Sequence, residues 1–255
     1  MTSPHRASPT LLPVAEAQAR LLAAATPVAS EEVPLRDATG RWAAAEARAR
    51  RTQPVADLSA MDGYAIRFAD LPGPWNVIGE SAAGRPFDDA VDTMEAVRIF
   101  TGAAVPAGAD TVLVQEEAAR ESARLLLAGE GPAHRGRNIR PRGLDFNEGE
   151  VLVAAGERIN AQRIAVAATG GLGMLRVHRR VRVAIAATGD ELVPPGTPAT
   201  GAALPESNGI MLATMLADLP VEIVDLGILP DRLDALRDAF AGVEADLLVT
   251  TGGAS

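Results

Sequence analysis

The chain has 255 residues, of which 47% are hydrophobic, 22% are charged and only 3% are aromatic, and its formal net charge is −9. This length and composition suit one to three domains whose cores are built from Ala, Val and Leu. The absence of Cys excludes disulfides, zinc–thiolate sites and cysteine nucleophiles. The 24 basic residues form no clustered basic face, which argues against nucleic acid as the main partner. No signal peptide and no 18-residue apolar run is found, so the sequence predicts a cytoplasmic protein without a membrane span.

In chain order, the first predicted element is an amphipathic helix from Pro13 to about Ala25, with the proline in its first turn. Residues 33–49 are predicted to hold a short strand, a turn at Gly40 and an Ala-rich helical stretch. From residue 52 to about residue 134, short apolar runs broken by Gly and Pro predict a small all-β unit. The strands predicted for this unit are residues 64–66, 75–78, 96–100, 111–115 and 124–127.

A strand at 150–154, a short helix at 160–168 and another strand at 175–178 are predicted next, and the rest of the chain alternates between strands and helices. A buried strand, Val181–Ala187, is followed by a helix that Ser207 can cap and that runs to about Leu219. The later predicted elements are a strand at Val221–Leu226, a helix capped by Asp231 and a strand at Asp246–Thr251. Strand–helix–strand–helix–strand predicts a parallel sheet with right-handed crossovers.

Polar groups follow the carboxyl ends of these predicted parallel strands, where ligands bind in open α/β sheets. The first strand runs into Thr188-Gly189-Asp190-Glu191, the second is followed by Asp231, and the third runs into Thr251-Gly252-Gly253. The Thr-Gly-Gly stretch taken alone fits a tight turn better than an anion site. Three polar strand ends together favour a binding site.

The all-β part carries three further candidate groups. Asp62-Gly63 lies between apolar residues, which fits either a hairpin turn or a functional acid on a turn. Thr101 follows a strand and precedes a glycine. Asp145 shares a loop with two arginines, where the alternative is a surface ion pair that contributes only ~0–1 kcal/mol.

If Asp62, Asp145, Glu191 and Asp231 approach one another, their charges repel. A pair at about 4 Å costs about 4 kcal/mol at an effective dielectric constant near 20. Such a cluster requires a cation, and carboxylates combined with phosphate oxygens suit Mg²⁺. The sequence therefore predicts an oxygen-ligated divalent metal beside a phosphate-bearing ligand.

Six motifs, in order along the chain, resemble the molybdopterin molybdenumtransferase family, which includes the MoeA and gephyrin E-domain proteins. The motifs are SAMDGYAI (59–66), IFTGAAVPAGADTV (99–112), NIRPRGLDF (138–146), VRVAIAATGDELVPPG (181–196), ESNGIMLATML (206–216) and ADLLVTTGGAS (245–255). The resemblance extends from about Leu11 to the last residue.

The resemblance implies an α/β plus β fold with three parts. An elongated linker domain would comprise residues 1–51 and 137–179, and a small all-β domain residues 52–136. A three-layer α/β molybdopterin-binding domain with a parallel sheet would begin at residue 180. In the family that domain continues past Ser255 and a C-terminal β domain follows, so a C-terminally truncated member is expected. The family works as a homodimer.

The implied function is molybdenum cofactor biosynthesis: Mg²⁺-dependent insertion of molybdate into adenylylated molybdopterin, with release of AMP. The matching catalytic positions are Asp62, Thr101, Asp145, Glu191 and Asp231, and the metal positions among them are Asp62, Glu191 and Asp231. The first three of the catalytic set would face the α/β domain of the other subunit. The matching cofactor-binding positions are Thr188, Gly189, Asp190, Ser207, Asn208, Thr251, Gly252, Gly253 and Ser255. A molybdopterin adenylyltransferase and molybdoenzyme apoproteins are the implied further partners.

The sequence departs from the family pattern at two positions beside the motifs. Leu58 stands where an Asn is usual, and Leu144 stands where an acid is usual. Two alternatives stay open. One is a non-catalytic dimerising or scaffolding module of the gephyrin type, which would normally depend on the C-terminal domain. The other is a molybdopterin adenylyltransferase, which lacks both the β domain and the SAMDGY motif.

Overall fold

The structure is a computed structural model that describes residues 12–198 and 201–252. Its α-helices are α1 (Val14–Ala24), α2 (Ala161–Thr169), α3 (Asn208–Leu216) and α4 (Leu233–Ala241). Its strands are β1 (Ser30–Pro34), β2 (Ala47–Arg48), β3 (Leu58–Ser59), β4 (Gly63–Ile66), β5 (Trp75–Ser81), β6 (Glu95–Ile99), β7 (Thr111–Val114), β8 (Ala118–Glu121), β9 (Arg124–Leu127), β10 (Ile139–Arg140), β11 (Val151–Val153), β12 (Met174–His178), β13 (Val181–Thr188), β14 (Leu192–Val193), β15 (Leu204–Pro205), β16 (Val221–Leu229) and β17 (Leu247–Thr251). Among the described residues, no helix is long and apolar enough to cross a membrane.

The chain divides into two compact units. One, here called the α/β unit, contains the described residues up to Ala45, the segment Gly156–Ile159, and the described residues from Arg176 onward. The other, here called the β unit, contains Glu46–Ala155 and Asn160–Leu175. Each candidate group described below lies within one of these units.

The α/β unit is built on a parallel sheet with the strand order β16–β13–β17. The central strand β13 pairs with β16 from Val181 onward and with β17 from Val183 onward. Residues 183–187 of β13 are buried, because neighbouring strands flank both edges and apolar groups cover both faces. The predictions of a parallel sheet and of a strand buried on both faces are confirmed.

A charged group holds the amino ends of β13 and β17 together. Both guanidinium NH groups of Arg179 donate to the Asp246 carboxylate, over 2.7 and 2.6 Å. The backbone N–H of Arg182 donates to the same carboxylate over 2.8 Å. These donors, those of Arg179 first, hold the pKa of the Asp246 carboxyl well below its ordinary value.

We therefore expect an acid-sensitive contribution of Asp246 to stability. The pKa of Asp246 is lower in the folded protein than in the unfolded chain, where an Asp has a pKa of about 3.9. Its contribution to stability is therefore complete above pH ~3.9 and is lost as the pH falls toward the pKa of the folded state. The Asp246→Asn variant should melt below the unaltered protein at pH 7, and the difference in Tm should narrow as the pH falls below about 4. Thermal unfolding at a series of pH values checks this, and a difference that stayed constant down to pH 3 would contradict it.

The β unit contains a six-stranded sheet with the order β7–β4–β6–β5–β9–β8. Its pairings are antiparallel except for β5 with β6. Alternate residues of β4 enter different core clusters: Tyr64 and Ile66 pack with Trp75, whereas Ala65 packs with Val97. All five strands predicted for the all-β part are present, within a few residues at each end, and β8 is an additional strand.

Of the two interpretations left open for Asp62-Gly63, the hairpin turn is excluded, and one local prediction near Ala43 is wrong. Asp62-Gly63 is not a hairpin turn, because β3 pairs with β10, whereas β4 begins at Gly63 and pairs with β6 and β7. The Ala-rich part of 33–49 forms no α-helix. The N–H groups of Ala43 and Ala44 donate instead to carbonyls of Glu157 and Arg176, because pairing with distant segments outweighs alanine's helix preference.

Candidate functional site

At the carboxyl end of β13, the connections along the chain lead to strands on opposite sides of β13. The connection that contains α3 leads to β16 on one side of β13, and the connection that contains α4 leads to β17 on the other side. Open α/β sheets bind ligands in the crevice where the strand order reverses in this way. The strand order therefore favours this end of the sheet as the binding site.

A cleft of about 140 Å³ opens at this position. Six of the residues predicted from the sequence to bind substrate or act in catalysis contribute to its lining. They are Thr188, Glu191, Ser207, Asn208, Thr251 and Gly252. The remaining lining residues are Leu192, Leu204, Pro205 and Glu206. Gly253 and Ser255, which the sequence also predicts as binding residues, lie outside the described residues.

Gly252 approaches Thr188 more closely than any other residue type would allow. A Cβ atom at position 252 would lie 2.2 Å from the Thr188 carbonyl oxygen, and the backbone φ of +115° also favours glycine. The Thr188 hydroxyl donates to the Thr251 carbonyl over 3.2 Å. The ends of β13 and β17 are thus held in contact, which brings two of the three predicted strand ends together.

The loop after β13 also contacts the end of β16. The Asp190 carboxylate accepts a hydrogen bond from the backbone N–H of Asp231 over 3.2 Å. The N–H of Gly189 donates to the Leu229 carbonyl over 3.3 Å, and the Glu191 carboxylate folds back over Gly189. The predicted strand end at Asp231 therefore also lies beside the end of β13, with Asp231 exposed to solvent.

The helix caps differ from those predicted. The residue before α3 is Ser207, but its side chain makes no capping bond, and Glu206 accepts from the N–H of Gly209 over 2.7 Å instead. Asp231 does not cap α4, because Arg232 occupies the cap position without a side-chain bond. The sequence analysis missed Glu206 as a cleft residue, although it opens the ESNGIM motif.

In the β unit, Asp62 and Thr101 form one hydrogen-bonded pair. Asp62 Oδ1 accepts from both the backbone N–H and the hydroxyl of Thr101, each over 2.8 Å. These two bonds, the backbone one first, lower the pKa of the Asp62 carboxyl, and the charge of Arg98 adds to the effect. Asp62 is therefore ionised at neutral pH, and no hydrogen bond to its second oxygen is recorded among the described residues.

Arg98 of β6 contacts several groups around this pair, and no sequence motif singled it out. Its guanidinium lies 5.2 Å from the ring centroid of Tyr64 and 4.8 Å from that of Phe100. It donates to the Gly63 carbonyl over 3.0 Å and to the Gln115 side chain over 2.7 Å. Cation–π contacts and hydrogen bonds together place one positive charge beside Asp62.

Asp145 forms the ion pair that the sequence allowed as an alternative. Its carboxylate lies 3.3 Å from the Arg140 guanidinium, and both side chains are about half exposed. Asp145 also contributes to a groove of about 460 Å³ between β11 and α2. An exposed pair of this kind adds little to stability.

The described residues contain no group of three or more His, Asp or Glu side chains arranged to hold a metal ion. Asp62 belongs to the β unit, whereas Glu191 and Asp231 belong to the α/β unit. The predicted shared metal site therefore stays a prediction. The donor chemistry fits Mg²⁺, because all three side chains offer carboxylate oxygens and Asp62 is ionised with one oxygen available.

Comparison with known proteins defines the class and then the family. Residues 184–255 match the domain described as "Probable molybdopterin binding domain". Residues 12–171 match the "MoeA N-terminal region (domain I and II)". Because that match alone covers more than half of the chain, the chain belongs to the MoeA family.

Individual relatives agree with this assignment. The chain is 34% identical over 233 residues to the molybdopterin molybdenumtransferase of Haemophilus influenzae, and 34% identical over 236 residues to that of Nostoc sp.. These alignments cover 90% and 89% of this chain but only 57% and 53% of the two relatives. The chain thus spans a little over half the length of these relatives.

A solved structure shares the fold. The molybdopterin biosynthesis MoeA protein from Pyrococcus horikoshii superimposes with a TM-score of 0.86 at 30% sequence identity. The superposition covers 95% of this chain and 67% of that protein. The mixed α/β and β architecture is therefore that of a MoeA protein.

Proposed function

We propose that this chain carries out the molybdenum insertion step of molybdenum cofactor biosynthesis. The substrates are molybdate and adenylylated molybdopterin, and the products are the molybdenum-loaded cofactor and AMP. The observation that carries the proposal is the cleft at the end of β13, because it combines a molybdopterin-binding type of sheet with six of the residues predicted for the reaction. Relatives named molybdopterin molybdenumtransferase support the same reaction.

The carboxylates have distinct roles in this proposal. Asp62, kept ionised by Thr101, contributes a fixed negative charge from the β unit. Glu191 and Asp231 contribute theirs from the end of the parallel sheet, and these three side chains would hold Mg²⁺. When bound, the ion neutralises pyrophosphate charge and supplies Lewis-acid chemistry. The side chains act mainly by preorganised electrostatics rather than by transferring protons.

The bond change is a phosphoanhydride cleavage. An oxygen of water or of molybdate bonds to one phosphorus of the anhydride, and the bridging P–O bond breaks. AMP takes either the bridging oxygen with the bond electrons or the new oxygen, according to which phosphorus is attacked. The two dithiolene sulfurs bond to molybdenum, and the displaced molybdate oxygen leaves as water with the thiol protons. Thr188, Ser207, Asn208 and Thr251 supply hydroxyl and amide groups that orient the nucleotide and the pterin in the cleft. The Asp190 carboxylate accepts a hydrogen bond from the Asp231 N–H and so keeps the loop that contains Asp231 beside the cleft.

A homodimer in the cytoplasm is part of the proposal. Asp62, Thr101 and Asp145 of one subunit would face the α/β unit of the other, which would complete the metal site. The support for this arrangement is the resemblance to the MoeA family, in which the matching positions face the other subunit. Partners that supply adenylylated molybdopterin or accept the finished cofactor would meet this dimer.

AMP release measured by chromatography tests the proposed function. With adenylylated molybdopterin, molybdate and Mg²⁺, we expect AMP to appear in step with molybdenum bound to the pterin, and a chelator should stop both. Consumption of ATP to adenylylate molybdopterin would identify an adenylyltransferase instead. Dimerisation without either reaction would identify a scaffolding module.

A further inference from the structure

Glu206 is a buried acid in the α/β unit with one carboxylate oxygen left over. Only 9% of the residue is exposed. Its Oε1 accepts from the Gly209 N–H, and its own N–H donates to the Val193 carbonyl over 2.9 Å. No hydrogen bond or ion pair to Oε2 is recorded within residues 12–198 and 201–252. This oxygen is not one of the fully enclosed polar atoms that lack a partner, so it can accept hydrogen bonds from a ligand in the cleft that Glu206 lines.

The surroundings of Glu206 hold no positive charge that could compensate it. Its side chain lines both the cleft at the end of β13 and an adjoining apolar cavity of about 810 Å³ beneath α3. No Arg or His is found among the described residues that line either cavity. The cleft does contain a second carboxylate, that of Glu191. The wall shared by the two cavities is therefore negative.

This charge decides which part of a ligand can lie beside α3. A helix amino terminus usually attracts phosphate, but here the Glu206 carboxylate already accepts the N–H of Gly209 in the first turn of α3 and puts a negative charge there. A second anion at this position would be repelled. A group with adjacent N–H donors would instead be favoured, because a carboxylate can accept two parallel hydrogen bonds.

We infer that Glu206 is a specificity-determining residue that accepts hydrogen bonds from the pterin ring of the substrate. A 2-amino-4-oxopteridine ring carries an N3–H and a 2-amino group side by side, which matches the two oxygens of a carboxylate. The inference rests on the proposed function, since it assumes a pterin substrate. In this arrangement the pterin ring of the substrate binds on the Glu206 side of the cleft, and its pyrophosphate binds on the side of Glu191 and Asp231.

Fluorescence titration with two small pteridines tests the inference without turnover, metal or molybdate. The probes are 2-amino-4-oxopteridine and 2-methyl-4-oxopteridine, which differ in the amino donor. The unaltered protein should bind the amino compound about tenfold or more tightly than the methyl compound, as expected for one hydrogen bond to a charged acceptor. Glu206→Gln should remove this preference, because its amide NH₂ would face the ring donors.

Two further variants separate recognition from helix capping. In Glu206→Gln the amide oxygen can still accept from Gly209, so the Tm should be unchanged, whereas Glu206→Ala should lower the Tm and also remove the preference. Asp225→Asn is the matched control. Asp225 lines the same apolar cavity and accepts one backbone N–H, from Gly227 over 2.8 Å, so its replacement should leave the preference intact.

Several results would overturn the inference. They are a preference retained in Glu206→Gln, equal binding of the two pteridines by the unaltered protein, and binding of neither. A lost preference in Asp225→Asn would also overturn it, because a general charge effect would then suffice. Failure of AMP release alongside a Glu206-dependent preference would refute the proposed reaction but support the pterin contact.

Discussion

Replacing Asp62 by alanine is expected to reduce Mg²⁺-dependent AMP release at least ~100-fold, the usual loss when one preorganised electrostatic group is removed from an active site. Two donors from Thr101 hold one oxygen of this carboxylate and lower its pKa. The charge is thus present at neutral pH before any ligand arrives. Initial rates of AMP release at saturating molybdate, compared at several Mg²⁺ concentrations, measure the effect.

Asp62→Asn is the matched control for this loss. Its side-chain oxygen can accept the same two bonds from Thr101, so the turn before β4 should keep its conformation and the Tm should stay close to that of the unaltered protein. Its charge is gone, and activity should fall as far as in the alanine variant. Near-normal AMP release by Asp62→Asn would show that the charge has no part in the reaction.

Replacing Gly63 by alanine is expected to destabilise the β unit by about 3 kcal/mol, the upper end for forcing an extra methyl into a packed site. A Cβ atom at position 63 would lie 2.0 Å from the Leu113 carbonyl oxygen of the neighbouring strand β7. The contact is with backbone, so no side-chain rotation can relieve it. The pairing of β4 with β7 must shift instead, which also displaces Asp62. Urea denaturation at pH 7 measures the free energy of unfolding.

Gly173→Ala provides the comparison within the same unit. A Cβ atom there would meet nothing within 4 Å, and its backbone φ is not in the strained range. We expect its free energy of unfolding to change by no more than ~0.5 kcal/mol, or to rise slightly because the unfolded chain loses freedom. Equal effects of the two substitutions would mean that the close approach of β4 and β7 does not limit residue 63.

Part of the site could be predicted because its signals are local. The apolar run of β13 ends in Thr188 and the following acids, and the chain order of strands and helices predicts which ends of the strands meet. Asp62, Thr101 and Gly252 were likewise found from motifs a few residues long. The pairing of Asp62 with Thr101 required the fold, because 39 residues separate them.

Other parts depended on contacts that no local pattern records. Ser207 has the residue type of a helix cap, yet Glu206 makes the bond, since its longer side chain reaches the Gly209 N–H from one position earlier. Arg98 reaches Tyr64 and Gln115 only because β6 pairs with β4, which in turn pairs with β7. These roles depend on how separate elements pack against one another, and neither composition nor periodicity contains that information.

The sequence alone determined the absence of cysteine chemistry, the buried parallel strand and the six motifs of the MoeA family, because residue type and spacing carry that information directly. The tertiary structure decided that β13 is the central strand, that the Ala-rich stretch near Ala43 is extended and that the carboxylate of Glu206 is enclosed beside the cleft. Each of these outcomes depends on which distant segments pair. Long-range pairing is selected by the packing of the whole unit, and it overrides local preference wherever the two disagree.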